Sequence, residues 1–291
     1  MITIQDWKEL GNLISINDYN IFVCDTEVED KETIILIHGF PTSSWDWKDI
    51  WALLEKDYRL IAVDMLGFGF SDKPNPHKYS ISEQADIIEK IISDKKLNNY
   101  HILAHDYGDT VTQEILSRKN RKTSARCESV CFLNGGLFPE THKALLIQKI
   151  LLSKIGWLVN KLATQKQFNN SMIRVFGPRS KPSKSELDSF WFLINHNKGR
   201  HIFHNLISYM SDRKENRERW ILALKTSKIP IALINGSIDP VSGSHMIERY
   251  KQLIGDIAWL KELKNIGHYP QLEAPEEVSD YYKIFLNNIG Q

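Results

Sequence analysis

The stretch from Tyr100 to Thr110, Tyr-His-Ile-Leu-Ala-His-Asp-Tyr-Gly-Asp-Thr, constrains this chain more than any other. Ile102, Leu103 and Ala104 form an apolar run that stops at a polar residue flanked by small ones, and Val111 to Leu116 turn helical in pattern. That is a strand, a sharp turn and a helix. A side chain at the apex of such a turn stands out of the sheet, and the backbone N–H that follows it points at whatever that side chain attacks. The apex is Asp106. Two residues to either side, backbone segments touch, so only small residues such as Ala104 and Gly108 fit, although glycine is the usual residue at the first of these positions.

An apical carboxylate selects its own chemistry. Attack on an ester would give an anhydride, a poor intermediate. Attack on saturated carbon gives an alkyl ester of the aspartate, which water activated by a base then hydrolyses at the aspartyl carbonyl. A nucleophile and a base are therefore both required.

Composition narrows the class of partner. The 291 residues are 42% hydrophobic, enough for a packed core, and a formal charge of +1 supplies no strong field for nucleic acid or anionic membrane. A small organic substrate and water remain. Cys24, Cys127 and Cys131 make an odd count without metal-ligand spacing and read as reduced thiols of the core. No charged leader followed by an apolar stretch opens the chain, which predicts a cytoplasmic protein. Leu145 to Ala163 is the most apolar long segment, but Lys149, Lys154 and Lys161 interrupt it, so it predicts an amphipathic helix and no membrane span.

Taken in order, residues 12 to 27 predict an antiparallel hairpin around Asn17-Asp18 at the sheet edge. Thr33 to His38 and Arg59 to Asp64 are continuous apolar runs, the pattern of strands covered on both faces. The first ends in His38-Gly39-Phe40-Pro41-Thr42-Ser43-Ser44, a tight loop that would turn the Phe40 N–H inward. Gly67-Phe68-Gly69 lacks the third glycine of a dinucleotide loop, because Asp72 stands there. Ser80 or Ser82 caps a helix over 81–93. The basic run Arg118 to Lys122 reads as a solvated helix end, and 128–133 as the next strand.

The alternation then breaks. From about Gly136 to Trp220 there are helical stretches, including 143–161, 184–194 and 202–210, and no convincing buried strand. Strand character returns at 229–235 before Gly236-Ser237-Ile238-Asp239-Pro240, and near 258–263 before Asn265-Ile266-Gly267-His268-Tyr269-Pro270, and a helix from Pro275 closes the chain. Nucleophile, acid and histidine thus follow one another in chain order, each just after a predicted strand.

These residues resemble the α/β-hydrolase fold in its aspartate-nucleophile branch, which includes epoxide hydrolases and haloalkane dehalogenases. The resemblance covers nearly the whole chain. It implies a mostly parallel central sheet flanked by helices, with core segments 1–136 and 221–291 and an inserted helical cap over 137–220. It also implies a cis bond between Phe40 and Pro41. Asp106 would be the nucleophile, His268 the base and Asp239 its orienting partner, with the N–H groups of Phe40 and Tyr107 as the oxyanion hole. His38 and His105 would stand in support behind the reacting groups. No metal or organic cofactor is required, and His196, His201 and His204 in the cap have no Cys or acidic ligand beside them.

The leaving group is less sharply defined. Dehalogenases of this branch usually place Trp after the nucleophile and Asn after His-Gly, where this chain has Tyr107 and Phe40. Trp157 or Trp191 could supply a cap indole instead. Epoxide hydrolases use cap tyrosines that protonate the epoxide oxygen, and Tyr209 resembles the later of these. The expectation is therefore an epoxide hydrolase-like enzyme, with haloalkane dehalogenase as the alternative and a non-catalytic binding or regulatory homologue as the reading from another class. Oligomeric state has no signature in the sequence.

Overall fold

A computed structural model of the chain describes residues 2–118, 124–144, 146–153 and 155–289. Its centre is one sheet of eight strands: β1 (Gly11–Ile16), β2 (Tyr19–Asp25), β3 (Thr33–Ile37), β4 (Arg59–Val63), β5 (Asn99–His105), β6 (Arg126–Leu133), β7 (Ile231–Gly236) and β8 (Trp259–Leu263). Their spatial order is β1-β2-β4-β3-β5-β6-β7-β8. The first two form the expected hairpin, Ile16 opposite Tyr19, with Asn17 and Asp18 both at positive φ, the geometry of a two-residue turn that follows strand twist. From β4 to β8 every pairing is parallel. The apolar runs are central because they are buried on both faces, and every residue of β3 is buried.

The core helices follow their caps. Ser80, not Ser82, caps the helix Ile81–Asp94 by accepting from the Glu83 N–H, and its isoleucines 87, 88, 91 and 92 pack on the sheet. Gly67 and Gly69, at φ 94° and 48°, serve a turn wrapped around the Asp64 carboxylate, which accepts N–H bonds from Ser44 at 2.7 Å and Phe70 at 2.7 Å. The three cysteines are buried and unpaired with one another. Arg118 is no solvated end: it is ion-paired with Asp86, Glu89 and Glu114, while 119–122 lie outside the described residues.

Between β6 and β7 the described residues form helices and loops and no strand, but two of the expected helices are broken. The 143–161 stretch forms Leu146–Leu151 and Gly156–Leu162, because Gly156 lies so close to the Leu151 carbonyl that the chain has turned there. The 202–210 stretch divides into Phe203–Leu206 and Tyr209–Glu215, with Ser208 between them donating its hydroxyl to the Tyr79 carbonyl of the core. A helix absent from the expectations, Gln165–Val175, starts at a capping box of Thr164 and Gln167. The helix Arg217–Thr226 runs across the expected boundary at 220. No helix among the described residues is long and apolar enough to cross a membrane.

The turn at the end of β5 depends on one small residue. A Cβ on Gly108 would run into the carbonyl oxygens of Ile37 and His38 on the neighbouring strand. Gly108→Ala is therefore expected to cost roughly 2–3 kcal/mol of stability, read as a lower midpoint of denaturant unfolding; an unchanged midpoint would mean that the turn does not need this close approach.

Candidate active site

Asp106 sits between β5 and the helix Tyr107–Ser117 at φ 46°, ψ −100°, a conformation that a residue with a side chain adopts only when its surroundings enforce it. It is 3% exposed, so its charge must be matched from within the protein. Oδ2 accepts the Phe40 N–H at 3.2 Å, across the Phe40-Pro41 bond, which is cis. Tyr107 begins the helix, where N–H groups have no partner inside the helix. On the other side, Nη2 of Arg213 lies 3.1 Å from the Asp106 carbonyl oxygen and 3.4 Å from Oδ1. Burial alone would raise the carboxyl pKa, but Arg213 and then His268 outweigh it and hold it below the ordinary carboxylate range.

His268 follows β8, and its Nδ1 is 2.8 Å from Oδ2 of Asp239, which follows β7. Asp239 also accepts the Val241 and Ser242 N–H groups, the Ser242 hydroxyl and the Asn134 amide. Burial opposes its ionisation, yet His268 and these donors pull its pKa to about 2. For His268, burial disfavours the charged form, but Asp239 and then Asp106 prevail and raise its pKa to about 9. Nδ1–H is therefore bound to Asp239, and an imidazolium is the resting form at neutral pH.

Two further histidines are buried and neutral. His38 gives its Nδ1–H to the Gly39 carbonyl at 2.9 Å and accepts the Met65 N–H on Nε2 at 3.1 Å, so it ties the Phe40 loop to the end of β4. His105 bonds through Nε2 to the His268 carbonyl at 2.8 Å, and burial, followed by the charge of His268, lowers its pKa to about 3. Glu273 fixes the same loop from outside. It accepts N–H bonds from Gly267 and Tyr269, and from Gly177 and the Ser180 hydroxyl of the segment inserted between β6 and β7.

Asp106 and His268 open onto one cavity of about 420 Å³, with walls that include Phe40, Trp191, Val241 and Met172. That volume suits a small organic molecule. Trp191 lines this cavity and also a surface hollow with Gln165 and His196, and its ring packs on Phe168. Trp157 does not line the cavity: it is 57% exposed and forms no part of the wall, so its indole faces away from Asp106 chemistry. Tyr209 is fully buried but also outside the wall, its ring against Phe40, Tyr107 and the Arg213 guanidinium and its hydroxyl without a hydrogen-bond partner. Of the cap histidines, His204 is bonded to Asn160 and His196 packs on Phe70; no group of three metal-ligating side chains occurs among the described residues.

Sequence reasoning missed His142, Arg213, Asn134 and Glu273. Arg213 lies in a run of charges, which reads as a solvated face, although its spacing of four from Tyr209 places both on one helical face. Buried arginine leaves no other mark in a single sequence.

The strand order, the strained carboxylate turn and the acid–histidine pair define an α/β-hydrolase. The chain belongs to the alpha/beta hydrolase fold family, whose pattern it matches over residues 32–275. It is 40% identical over 299 residues to the mesoderm-specific transcript protein of Mus musculus, an alignment covering 98% of this chain and 88% of that one. It is 32% identical over 96% of each chain to LipZ of Mycobacterium tuberculosis, a protein provisionally named a hydrolase. Among solved structures, the haloalkane dehalogenase DbeA of Bradyrhizobium elkani superimposes with a TM-score of 0.82 over 96% of this chain and 98% of that one, at 18% identity.

The charges around His268 give a direct test. Asp106→Asn removes one group that raises its pKa, and Asp239→Asn removes the strongest. Titration followed by NMR is expected to show a downward shift in both variants, larger in Asp239→Asn; an unmoved His268 would show that neither carboxylate is coupled to it.

Proposed function

We propose that the protein hydrolyses small organic substrates by attack of Asp106 on saturated carbon, with epoxides as the first class of substrate and haloalkanes as the second. The observation that carries this reading is the placement of the carboxylate: Oδ2 accepts the Phe40 N–H, Oδ1 has only the longer 3.4 Å contact with Arg213, and the side chain and His268 border the cavity. The hydrolase name of a relative and the dehalogenase neighbours by structure agree with the class.

The proton inventory follows from the two pKa directions. In the resting enzyme Asp106 is an anion and His268 a cation. Attack by Oδ1 forms a carbon–oxygen bond and breaks the epoxide carbon–oxygen bond, whose electron pair goes to the ring oxygen. That oxygen takes the proton of His268, directly or through a cavity water. Ester formation has meanwhile removed the Asp106 charge, so the imidazole, now neutral, loses one of the groups that favoured its protonation and becomes a usable base. It accepts a proton from water as the hydroxide adds to the ester carbonyl. The tetrahedral oxyanion lies at Oδ2, beneath the N–H groups of Phe40 and Tyr107; its collapse breaks the ester carbon–oxygen bond, the departing alkoxide takes the proton of the newly added hydroxyl, and diol and carboxylate result with His268 again protonated.

Rapid-quench mass spectrometry is expected to find an alkyl adduct on the Asp106 peptide, and single turnover in heavy-oxygen water to leave one labelled oxygen there. Asp106→Ala should lower turnover by roughly 10⁴-fold or more. No adduct and no label with any epoxide or haloalkane would refute the mechanism.

The leaving group has its own pH signature. Epoxide opening consumes the His268 proton, so kcat/KM for epoxides is expected to fall as pH rises through about 9. Halide departure needs no proton, so the rate of Asp106 alkylation by a haloalkane should be flat across the same interval. Identical profiles for the two classes would show that His268 is not the donor.

A further inference from the structure

Because Asp106 attacks, something must hold the atom that leaves, and the expected tyrosine and Trp157 are not on the cavity wall. His142 is. It lies eight residues after Asn134 in the chain, and it lines both the cavity in front of Asp106 and a second hollow of about 370 Å³ lined also by Arg213, Lys149 and Lys214. Nδ1 of His142 is 3.2 Å from Nη1 of Arg213. A guanidinium has only donors, so Nδ1 must present its lone pair, and the ring hydrogen of the neutral imidazole is confined to Nε2. The Nε2 atom is buried and has no hydrogen-bond partner.

Arg213 is itself held hard. Nε donates to the Thr110 hydroxyl at 2.7 Å, Nη2 bonds to Asp106, and the guanidinium stacks 4.6 Å from the Tyr209 ring centroid. A Cβ on Gly136 would collide with the guanidinium and crowd His142 Nδ1, so backbone closes the remaining side of the pair. Burial and then the Arg213 charge keep His142 neutral, with its pKa lowered to about 4. An orphaned donor of fixed tautomer, on a residue that lines the same cavity as Asp106, is costly unless a ligand atom uses it.

We infer that His142 is the leaving-group donor of this enzyme and that Arg213 is the positioning residue that fixes its tautomer. The inference rests on the aspartate-nucleophile reading. As Oδ1 bonds to carbon, the electron pair of the breaking bond collects on the epoxide oxygen or halogen, which accepts the His142 Nε2–H. For an epoxide the transferred proton still comes from His268, and His142 keeps its own. Arg213 on Nδ1 polarises the imidazole and makes Nε2–H a stronger donor.

The test compares a leaving group that needs help with one that does not. Asp106 alkylation is followed by rapid quench with styrene oxide and with 1-iodobutane, in the wild-type chain and in His142→Leu and His142→Gln, each checked by circular dichroism for an unchanged melting temperature. His142→Leu is expected to slow alkylation by the epoxide roughly 100-fold and by the iodide within about threefold. His142→Gln, which retains an N–H donor, should recover much of the epoxide rate. Equal slowing of both substrates, no slowing, or no advantage of Gln over Leu would overturn the assignment while leaving the Asp106 adduct in place. Failure of the wild-type chain to form any adduct would instead remove the parent reading and this one together. For Arg213, nitrogen-15 NMR is expected to show His142 protonated at Nε2 alone in the wild-type chain, and a tautomer mixture or imidazolium in Arg213→Met. A tautomer unchanged by Arg213→Met would show that Arg213 does not set it.

Discussion

A carboxylate taken out of water must find its counter-charge in the protein, and Asp106 governs the rest of this structure through that need. Two buried anions, Asp106 and Asp239, face two buried cations, Arg213 and His268. For Asp109, one turn beyond Asp106, burial and then the Asp106 charge push the pKa well up and so disfavour a third anion. A third carboxylate is thereby kept from upsetting the balance. Esterification of Asp106 would leave the cations in excess, and the group able to shed its charge is the histidine.

The same balance explains why the segment between β6 and β7 is part of the site. It supplies Arg213, which grips both the side chain and the backbone carbonyl of Asp106. From elsewhere in that segment, Val175 accepts the His268 N–H, and Gly177 and Ser180 share the Glu273 carboxylate with the residues flanking His268. Lys48, buried at the start of the helix Lys48–Leu54, reaches Glu186, and Asp212 accepts the Ile81 N–H. A shift of these helices relative to the sheet would therefore move nucleophile and histidine together, and the cavity is a property of both parts.

Much of the molecule was legible in the sequence because its signals are local. Strand runs buried on both faces, serine caps and the two-residue turn at Asn17-Asp18 each depend on a few neighbouring residues. Gly108, required by contact with β3, was legible for the same reason: an apical aspartate leaves little choice two positions on. Whether Trp157 and Tyr209, named as leaving-group candidates, line the cavity was beyond the sequence, because the direction of a helical side chain depends on how the helix docks. The breaks at Gly156 and Ser208 reset that direction in ways no periodicity records.

By itself, the sequence determined the strand, sharp turn and helix that set Asp106 at the apex, the chain order of Asp106, Asp239 and His268, and the parallel sheet that carries them. Local backbone geometry and strand periodicity suffice for those. Only the tertiary structure decided that Arg213 is buried against Asp106 rather than solvated, that Nδ1 of His142 lies against the same guanidinium, and that Glu273 joins the two parts at the histidine loop. Each of these is a contact between residues far apart in the chain, and its free energy depends on the removal of water by packing, which no single segment can specify.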